Sequence, residues 1–413
     1  MMHISNVAVF DGAAETTQPA RTIELEGERI RWIGDAAEAR ELRPGGAVVD
    51  GTGLTVLPGL IDCHVHLAHD GEANWMTRLP RSAAEETLAV IRNSAAALAA
   101  GITTVRDCGS GPVRAPLALA LQPPGDGVLL PTVVSCGSPI TMTGGHLHWE
   151  ASEADGVEGV RRAVRAELKA GAQWIKVMAT GGVLTPGTDV GSESFTRDEL
   201  AVAVEEAERG GRRVAAHAIG NAGIKNALSA GAATIEHGSF LDDEAIELML
   251  AKHAYHVPTL SAYHQVVSTG TDAGIPAESV TKALAAHEMN LESFRKSLGA
   301  GVPIAAGTDA GTPHNPHGGL SLELELMVQA GATPQQAIRA ATIDAASALE
   351  LQDEIGQVGI GKLADLVLVE GDPLEDITCL ARPVMVIKRG RVAFSRDAET
   401  PDSSSSHVRV GVS

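Results

Sequence analysis

Residues 57–67 read LPGLIDCHVHL, an apolar run of strand length that ends with His64 and His66. Residues two apart on an extended strand project to the same side, so both imidazoles can reach one cation. Further apolar runs follow at intervals, with helical patterns between them: GITTVRDCG, GVLLPTVVSC, QWIKVMATGG, RRVAAHA, AATIEHG, AYHVPTL and VPIAAGTDAG. Apolar strands that alternate with amphipathic helices indicate a parallel sheet covered by helices. The sequence therefore predicts an α/β fold, a TIM-like (β/α)₈ barrel, with an open doubly wound sheet as the alternative.

The two ends of the chain differ from this middle region. Residues 1–56 and 356–396 contain short strand-like runs with turns, among them RTIELEGERIRWIGD and ADLVLVEGD. Two strand-rich pieces that flank a long α/β segment predict one small β-sandwich domain built from both chain ends. We expect residues 57–355 to form the metal-binding barrel and the Ser-rich residues 397–413 to form a flexible tail.

Two helix starts can be identified from short motifs. Ser82 is followed three residues later by Glu85, and Thr196 by Glu199. Each pair fits the capping box, in which side chain and backbone satisfy each other's donors. A helix is therefore predicted to begin after each of these residues.

Composition limits the class of protein. The 413 residues carry a formal net charge of -20 and only 3% aromatic residues. Such a chain repels a phosphate backbone and offers few stacking platforms, so we expect no nucleic-acid partner. Neither a signal peptide nor a membrane-length apolar stretch is recognisable, which predicts a cytoplasmic protein with no membrane partner. The scattered cysteines are expected to be reduced thiols, and we expect a homo-oligomer.

Further polar residues stand at the predicted strand ends. Lys176 lies in the fourth strand, His217 ends the fifth, His237 the sixth and Asp309 the eighth. In a barrel these ends converge on the face where such enzymes place catalysis. Taken singly, each residue has a structural alternative: a strand lysine can extend to solvent, a histidine can belong to the core, and an aspartate can serve a turn. Their combination with the histidine pair of residues 57–67 favours a metal site.

Lys176 carries the most specific chemical signal. It is flanked by Ile175 and Val177, so an ammonium group there would pay a large desolvation penalty. Neighbouring dications would increase that penalty. Carboxylation of the amine by CO₂ removes the conflict, because the resulting carbamate is an anion that can bridge two metal ions. Neutral imidazoles from His217 and His237 suit a second, zinc-like ion.

Two residues are candidates for a catalytic role. Asp309 can bind a metal, take a proton from water during attack and pass it to the departing nitrogen. His146, in the loop sequence TMTGGHLHWE, is interpreted as a substrate or oxyanion contact, with a loop histidine without function as the alternative. Roles for His148, His314 and His317 stay open. Glu236 is assigned no catalytic role, because adjacent strand residues point to opposite faces.

As a set, these motifs resemble the amidohydrolase superfamily, in the branch with imidazolonepropionase-like and prolidase-like (Xaa-Pro dipeptidase-related) members. The segments that carry the resemblance span nearly the whole chain: PGLIDCHVH, SPITMTGGH, WIKVMATGGV, AAHAIG, IEHG, GTDAG and GKLADLVLVEGDP. The resemblance implies two divalent ions, with Zn²⁺ as the expected metal. It implies a first ion on His64, His66 and Asp309, a second on His217 and His237, and a carboxylated Lys176 between them. A hydroxide held by both ions would then attack a carbonyl.

The implied activity is hydrolysis of an amide-type C–N bond in a small molecule, namely an N-acyl amino acid, a dipeptide or a related amide. Alternatives are a cyclic amide, urea or carbamate hydrolase, a mononuclear deaminase, or a scaffold without chemistry. A single-metal deaminase needs no bridging Lys176, and the intact ligand set argues against a scaffold. Dipeptidase-like relatives often carry Tyr or His where this chain has Ile219. That departure weakens the dipeptide interpretation and favours a more apolar amide.

Overall fold

The computed structural model describes residues 1–35, 46–78, 81–122 and 128–396, so the predicted tail, residues 397–413, lies outside the described residues. The strands in this part of the chain are β1 (Met2–Val9), β2 (Gln18–Glu26), β3 (Arg29–Asp35), β4 (Ala47–Asp50), β5 (Leu54–Pro58), β6 (Leu60–Val65), β7 (Ile102–Asp107), β8 (Thr132–Ser135), β9 (Ile140–Thr141), β10 (Ser152–Glu153), β11 (Ile175–Met178), β12 (Val214–Ala218), β13 (Thr234–His237), β14 (Tyr255–Val257), β15 (Leu366–Glu370), β16 (Met385–Lys388) and β17 (Arg391–Ser395). The α-helices are α1 (Ala83–Ala99), α2 (Ala115–Ala120), α3 (Gly156–Ala170), α4 (Arg197–Arg209), α5 (Asn221–Ala230), α6 (Asp243–Lys252), α7 (Leu260–Thr269), α8 (Ala277–Ala300), α9 (Leu320–Gln329), α10 (Pro334–Ala340) and α11 (Ile343–Ala348).

The middle of the chain alternates strands and helices, as predicted. Strands β6, β7 and β8 form one parallel sheet. A second parallel sheet has the order β10-β9-β11-β12-β13-β14. The parallel α/β fold is therefore confirmed, whereas this pairing does not confirm a closed eight-stranded barrel.

The eighth predicted strand is irregular. The amide of Ala305 donates to the carbonyl of His256 at 3.0 Å, and the amide of Asp309 donates to the carbonyl of His64 at 2.7 Å. The segment therefore lies between the end of β14 and the end of β6. Asp309 has a left-handed φ of 59°, and a Cβ at Gly307 would lie 2.9 Å from that of His64. The left-handed φ departs from strand geometry at Asp309, and the close approach at Gly307 holds the segment against His64.

Both chain ends contribute to one mixed sheet. Its order is β17-β16-β15-β5-β1-β2-β3, with β4 paired to β1. Strand β5 pairs with β15 in antiparallel register, for example Val56 with Leu368, and this ladder joins the two ends. The described strands of the two chain ends are thus linked into a single sheet, and the predicted two-layer sandwich is not confirmed.

The two capping boxes are confirmed. Ser82 accepts from the backbone of Glu85 and precedes α1, and Thr196 accepts from the backbone of Glu199 and precedes α4. In each pair the glutamate carboxylate accepts a hydrogen bond from the backbone N–H of the cap residue. Each cap stabilises its helix by about 1 kcal/mol.

Strand alternation decides which way Lys176 points. Its neighbours Ile175 and Val177 pack with Val164 of α3 and Leu200 of α4 on the outer side of the sheet. Lys176 therefore projects to the inner side, where it is 1% exposed.

Among the helices of the described residues, none has the length and apolar character needed to span a bilayer.

Candidate metal centre

The histidine pair and Asp309 meet at the strand ends. Nε2 of His66 lies 3.1 Å from Oδ1 of Asp309, and Nε2 of His64 lies 3.4 Å from the same oxygen. One ligand atom from each of the three residues falls within 4.8 Å of the others, and all three residues are buried. Two imidazoles and a carboxylate at this spacing form a group that can hold a divalent cation.

The other predicted ligands surround the same cavity. Nζ of Lys176 lies 3.5 Å from Nε2 of His64. The ring centroid of His237 lies 5.2 Å from that of His64 and 4.7 Å from that of His217. The structure therefore brings together all the side chains that the sequence proposed as ligands, in two adjoining groups with Lys176 near their junction.

Each of the four imidazoles has one ring nitrogen engaged by the protein. The bonds are His64 Nδ1 to Oε2 of Glu236 at 2.8 Å, His66 Nδ1 to the carbonyl of Gly109 at 2.7 Å, His217 Nε2 to the carbonyl of Gly181 at 3.0 Å, and His237 Nδ1 to Oγ1 of Thr259 at 2.7 Å. Carboxylate and carbonyl oxygens only accept, so a proton sits on the engaged nitrogen of the first three rings. All four rings line the cavity, and the second nitrogen, Nε2, of both His64 and His66 lies near Oδ1 of Asp309. One nitrogen held by the protein and the other directed toward further ligands is an arrangement typical of metal-ligating histidines.

The ionisation states also suit a cation. Burial and then the charge of Lys176 lower the pKa of His217 to about 3. Burial and then His217 place the pKa of His237 well below its ordinary value, so both rings are neutral at pH 7. Burial acts to raise the pKa of Asp309, but His64 and His66 outweigh it and hold that pKa below the usual value. His217 and His237 thus offer neutral imidazoles beside the ionised carboxylate of Asp309. The pKa values of His64 and His66 are instead raised, although burial acts to lower both, because Cys108 outweighs burial at His64 and Asp309 outweighs it at His66.

Two of these residues have unusual backbone conformations. His237 has a φ of 70° and Asp309 a φ of 59°, both in the left-handed region that residues other than glycine rarely adopt. Such conformations cost about 1–3 kcal/mol and concentrate at functional sites. Their location at the two strand ends supports a functional constraint on these side chains.

The structure corrects the interpretation of Glu236. Its Oε1 accepts from Nη2 of Arg106 at 2.7 Å, while its Oε2 holds the ring of His64. The left-handed backbone of His237 interrupts the strand alternation, so Glu236 and His237 both face the inside of the fold. Burial acts to raise the pKa of Glu236, but Arg106 and His64 outweigh it and the carboxylate is ionised. Arg106, 0% exposed, was missed from the sequence, although a charged residue inside an apolar strand implies a buried partner.

An open pocket lies next to the centre. Its walls are largely apolar, formed by Trp75, Leu147, Met178, Val183, Leu184, Ile219, Ala262, Tyr263, Val266 and Ala283. Among the described residues that line it, Lys176 is the sole lysine or arginine. The cavity therefore provides an apolar surface next to a polar, ligand-rich base.

The loop histidines fall in different places. His146 lines the cavity and stacks on His217, with ring centroids 4.5 Å apart. Burial and then His217 lower its pKa well below the ordinary value. His148 is exposed, and the rings of His314 and His317 bond to the carbonyls of Ala273 and His69 rather than lining the cavity.

The parallel α/β fold and its buried cluster of histidines and carboxylates define a protein with a candidate metal site at its strand ends. Residues 55–393 match the Amidohydrolase family, and the chain belongs to this family. It is a hydrolase that acts on C–N bonds, as the sequence analysis predicted.

Named relatives agree with this assignment. Ochratoxinase of Aspergillus niger is 35% identical over 362 residues, covering 80% of this chain and 73% of that protein. Imidazolonepropionase of Micrococcus luteus is 26% identical over 379 residues, covering 84% and 87%. A solved Xaa-Pro dipeptidase with bound methionine in its active site superposes with a TM-score of 0.87 at 32% identity, over 95% of this chain and 99% of that one. The resemblance to the imidazolonepropionase-like and prolidase-like branch is confirmed.

Proposed function

We propose that this chain is a binuclear metal-dependent hydrolase that cleaves an amide-type C–N bond in a small, largely apolar substrate. The observation that carries the proposal is the ring of ligand atoms around one cavity. Two imidazoles and Asp309 lie within 4.8 Å of one another on one side, and His217 and His237 lie on the other. Two divalent ions bound there, expected to be Zn²⁺, would supply an activated water and polarise the substrate carbonyl.

Lys176 is the residue that favours two ions over one. A buried ammonium 3.5 Å from Nε2 of His64 repels any cation and ligates none. Carboxylation by CO₂ turns the same side chain into a carbamate with two ligand oxygens. Its position near the junction of the two ligand groups suits a bridge between them, and a mononuclear deaminase gains nothing from it.

Asp309 and His146 complete the proposed machinery. The carboxylate of Asp309 is ionised and lies close to His64 in β6 and to His66 just after it, so it can accept the proton of the attacking water and return it to the leaving nitrogen. His146 lines the cavity on the side of His217 and can donate to the substrate carbonyl oxygen. Asp309 would thus act at the leaving nitrogen, and His146 would act at the carbonyl oxygen.

The cavity walls favour an apolar amide. A substrate carboxylate deep in the cavity would have Lys176 as its one lysine or arginine neighbour among the described lining residues, and that amine belongs to the proposed ligand set. Ile219 lines the cavity and donates no hydrogen bond. Apolar N-acyl amino acids, whose carboxylate can extend toward solvent, and neutral amides therefore fit better than free dipeptides.

The remaining predictions, on the architecture, the location and the oligomeric state, are part of the same proposal. Isolated parallel bridges join Val65 to Ala310 and His256 to Ile304, which supports closure of residues 57–355 into a barrel. Three further points likewise remain predictions: a β-sandwich domain with the bounds 1–56 and 356–396, a cytoplasmic location and a homo-oligomer.

A substrate screen tests the proposal. Zinc-loaded enzyme is incubated with N-benzoyl-L-phenylalanine, 4-nitroacetanilide, Met-Pro, dihydrouracil and a phenyl carbamate, and with cytosine for ammonia release. We expect the two apolar amides to give the highest kcat/KM and the activity to vanish after chelation. An Ile219→Tyr variant should shift the ratio of Met-Pro to apolar-amide turnover upward by about tenfold, because it adds a hydrogen-bond donor to an apolar wall. Deamination without amide hydrolysis, or full metal loading without turnover of any amide, would contradict the proposal.

Glu236 gives a test of metal binding that needs no substrate. Glu236→Gln keeps the shape of the side chain but removes the charge that holds Nδ1 of His64 and pairs with Arg106. We expect Zn²⁺ affinity, measured by competition with a chromogenic chelator, to fall about 10–100-fold. The matched control is Asp365→Asn, which breaks another buried ion pair, with Lys388 at 2.6 Å, outside the cavity lining. Equal zinc affinity in Glu236→Gln and the control would show that Glu236 does not tune the ligand.

A further inference from the structure

The loop after β11 reaches the ring of His146 through one hydroxyl group. Oγ1 of Thr185 lies 2.7 Å from Nδ1 of His146. The same oxygen accepts the backbone N–H of Leu147 at 2.9 Å. Thr185 is 1% exposed, so water does not compete for this hydroxyl. A single buried side chain therefore contacts both His146 and the residue after it.

The two hydrogen bonds fix the direction of the hydroxyl proton. The backbone N–H of Leu147 can only donate, so it takes up one lone pair of Oγ1. The hydroxyl proton then needs an acceptor of its own, and in the described part of the chain Nδ1 of His146 is the one within reach. Nδ1 must be unprotonated to accept it, which places the ring proton on Nε2.

The rest of the loop keeps Thr185 in place. Nζ of Lys282 on α8 donates to the carbonyl of Thr185 at 2.7 Å, and Oε1 of Glu278 accepts from the amide of Gly187 at 2.8 Å. Lys282 and Glu278 also pair with each other at 2.7 Å. A Cβ at Gly182 would overlap the His146 ring, so the ring packs directly on the loop backbone. Both the hydroxyl and the imidazole are thus held by contacts outside the ligand set.

We propose that Thr185 is a positioning residue that fixes His146 as the Nε2–H tautomer, so that this nitrogen donates a hydrogen bond to the substrate carbonyl oxygen. The inference rests on the proposed function for its catalytic consequence, but the tautomer itself is a property of the protein alone. An N–H group that faces the cavity can donate a hydrogen bond to the substrate carbonyl oxygen. This hydrogen bond becomes stronger as negative charge develops on that oxygen during attack. The loop after β11 therefore contributes to catalysis through a residue that never touches the substrate.

The tautomer can be measured directly. Zinc-loaded protein labelled with ¹⁵N-histidine is examined by long-range ¹⁵N–¹H correlation NMR, with His146→Gln used to assign the ring. We expect wild-type His146 to carry its proton on Nε2. Thr185→Val, which has the same shape without the hydroxyl, should give a mixture of both tautomers. A wild-type ring protonated on Nδ1, or an unchanged Nε2–H ring in Thr185→Val, would overturn the inference whatever the enzyme's substrate.

Kinetics provide the second readout, with N-benzoyl-L-phenylalanine as the probe. Thr185→Val should lower kcat about tenfold with little change in KM, a smaller loss than the roughly 10²–10³-fold expected for an outright loss of an oxyanion donor. Thr185→Ser should restore kcat to within about twofold. Thr188→Val is the matched control, because Thr188 bonds to carbonyls of the same loop but not to His146. An equal loss in Thr185→Val and Thr188→Val would assign the effect to loop structure and overturn the inference. Failure of wild type to hydrolyse any amide would instead count against the proposed function, while the NMR result would still decide the tautomer.

Discussion

Lys176→Ala should bind no more than one zinc ion per chain and lose more than about 10³-fold in kcat/KM, because it removes both the bridging ligand and part of the electrostatic stabilisation of the transition state. The side chain is buried, and its Nζ lies 3.5 Å from Nε2 of His64 among the proposed ligands, so its loss leaves a gap inside the ligand set. Metal content is measured by atomic emission and activity with the best amide of the screen. The effect on the second ion should exceed that on the first, whose three ligands lie together without it.

Small carboxylic acids provide the control for this variant. Acetate or propionate can occupy the space vacated by the lysine and present the two oxygens that a carbamate would present. We expect millimolar acetate to restore part of the second zinc and part of the activity, and chloride at equal ionic strength to restore neither. A Lys176→Ala enzyme that holds two zinc ions without added acid would contradict the bridging role.

Asp309→Asn should reduce kcat by about 10³-fold, within the range of losing a general acid–base group. The amide keeps an oxygen that can face the metal but accepts no proton from the attacking water. Wild-type kcat/KM should fall on the acid side as the carboxylate becomes protonated, whereas the variant should lack this acid limb. KM and zinc content should change far less than kcat.

His314→Gln is the matched control for Asp309. His314 lies in the loop that follows Asp309, but its ring bonds to the carbonyl of Ala273 and does not line the cavity. We expect this variant to keep wild-type kcat and the full pH profile. An Asp309→Asn enzyme with more than a tenth of wild-type kcat at neutral pH would rule out the proton-transfer role.

The clustering of the proposed ligands could be predicted from the sequence because it depends on strand geometry. The two-residue spacing of His64 and His66 places both on one side of a strand, and the apolar neighbours of Lys176 predict its inward direction. The ends of parallel strands lie on one face, which explains why distant residues such as His217 and His237 meet. These rules need no knowledge of tertiary packing.

The contacts that support the proposed site residues could not be predicted from the sequence in the same way. Arg106 and Glu236 come from strands that are not neighbours, so their pairing depends on packing across the inside of the fold. The contact of Thr185 with His146 joins two loops, and hydrophobic periodicity carries no information about loop conformation. The left-handed backbone of Asp309 likewise reflects a tertiary constraint that overrides its strand-like sequence.

Binding of two cations around Lys176 is best tested by a crystal structure of protein grown with zinc and bicarbonate, with diffraction recorded on both sides of the zinc absorption edge. Two anomalous peaks are expected, one within ligand distance of His64, His66 and Asp309 and the other of His217 and His237, with carboxylate density on Nζ of Lys176 between them. A single peak at full occupancy, or an unmodified amine turned away from both positions, would contradict the account.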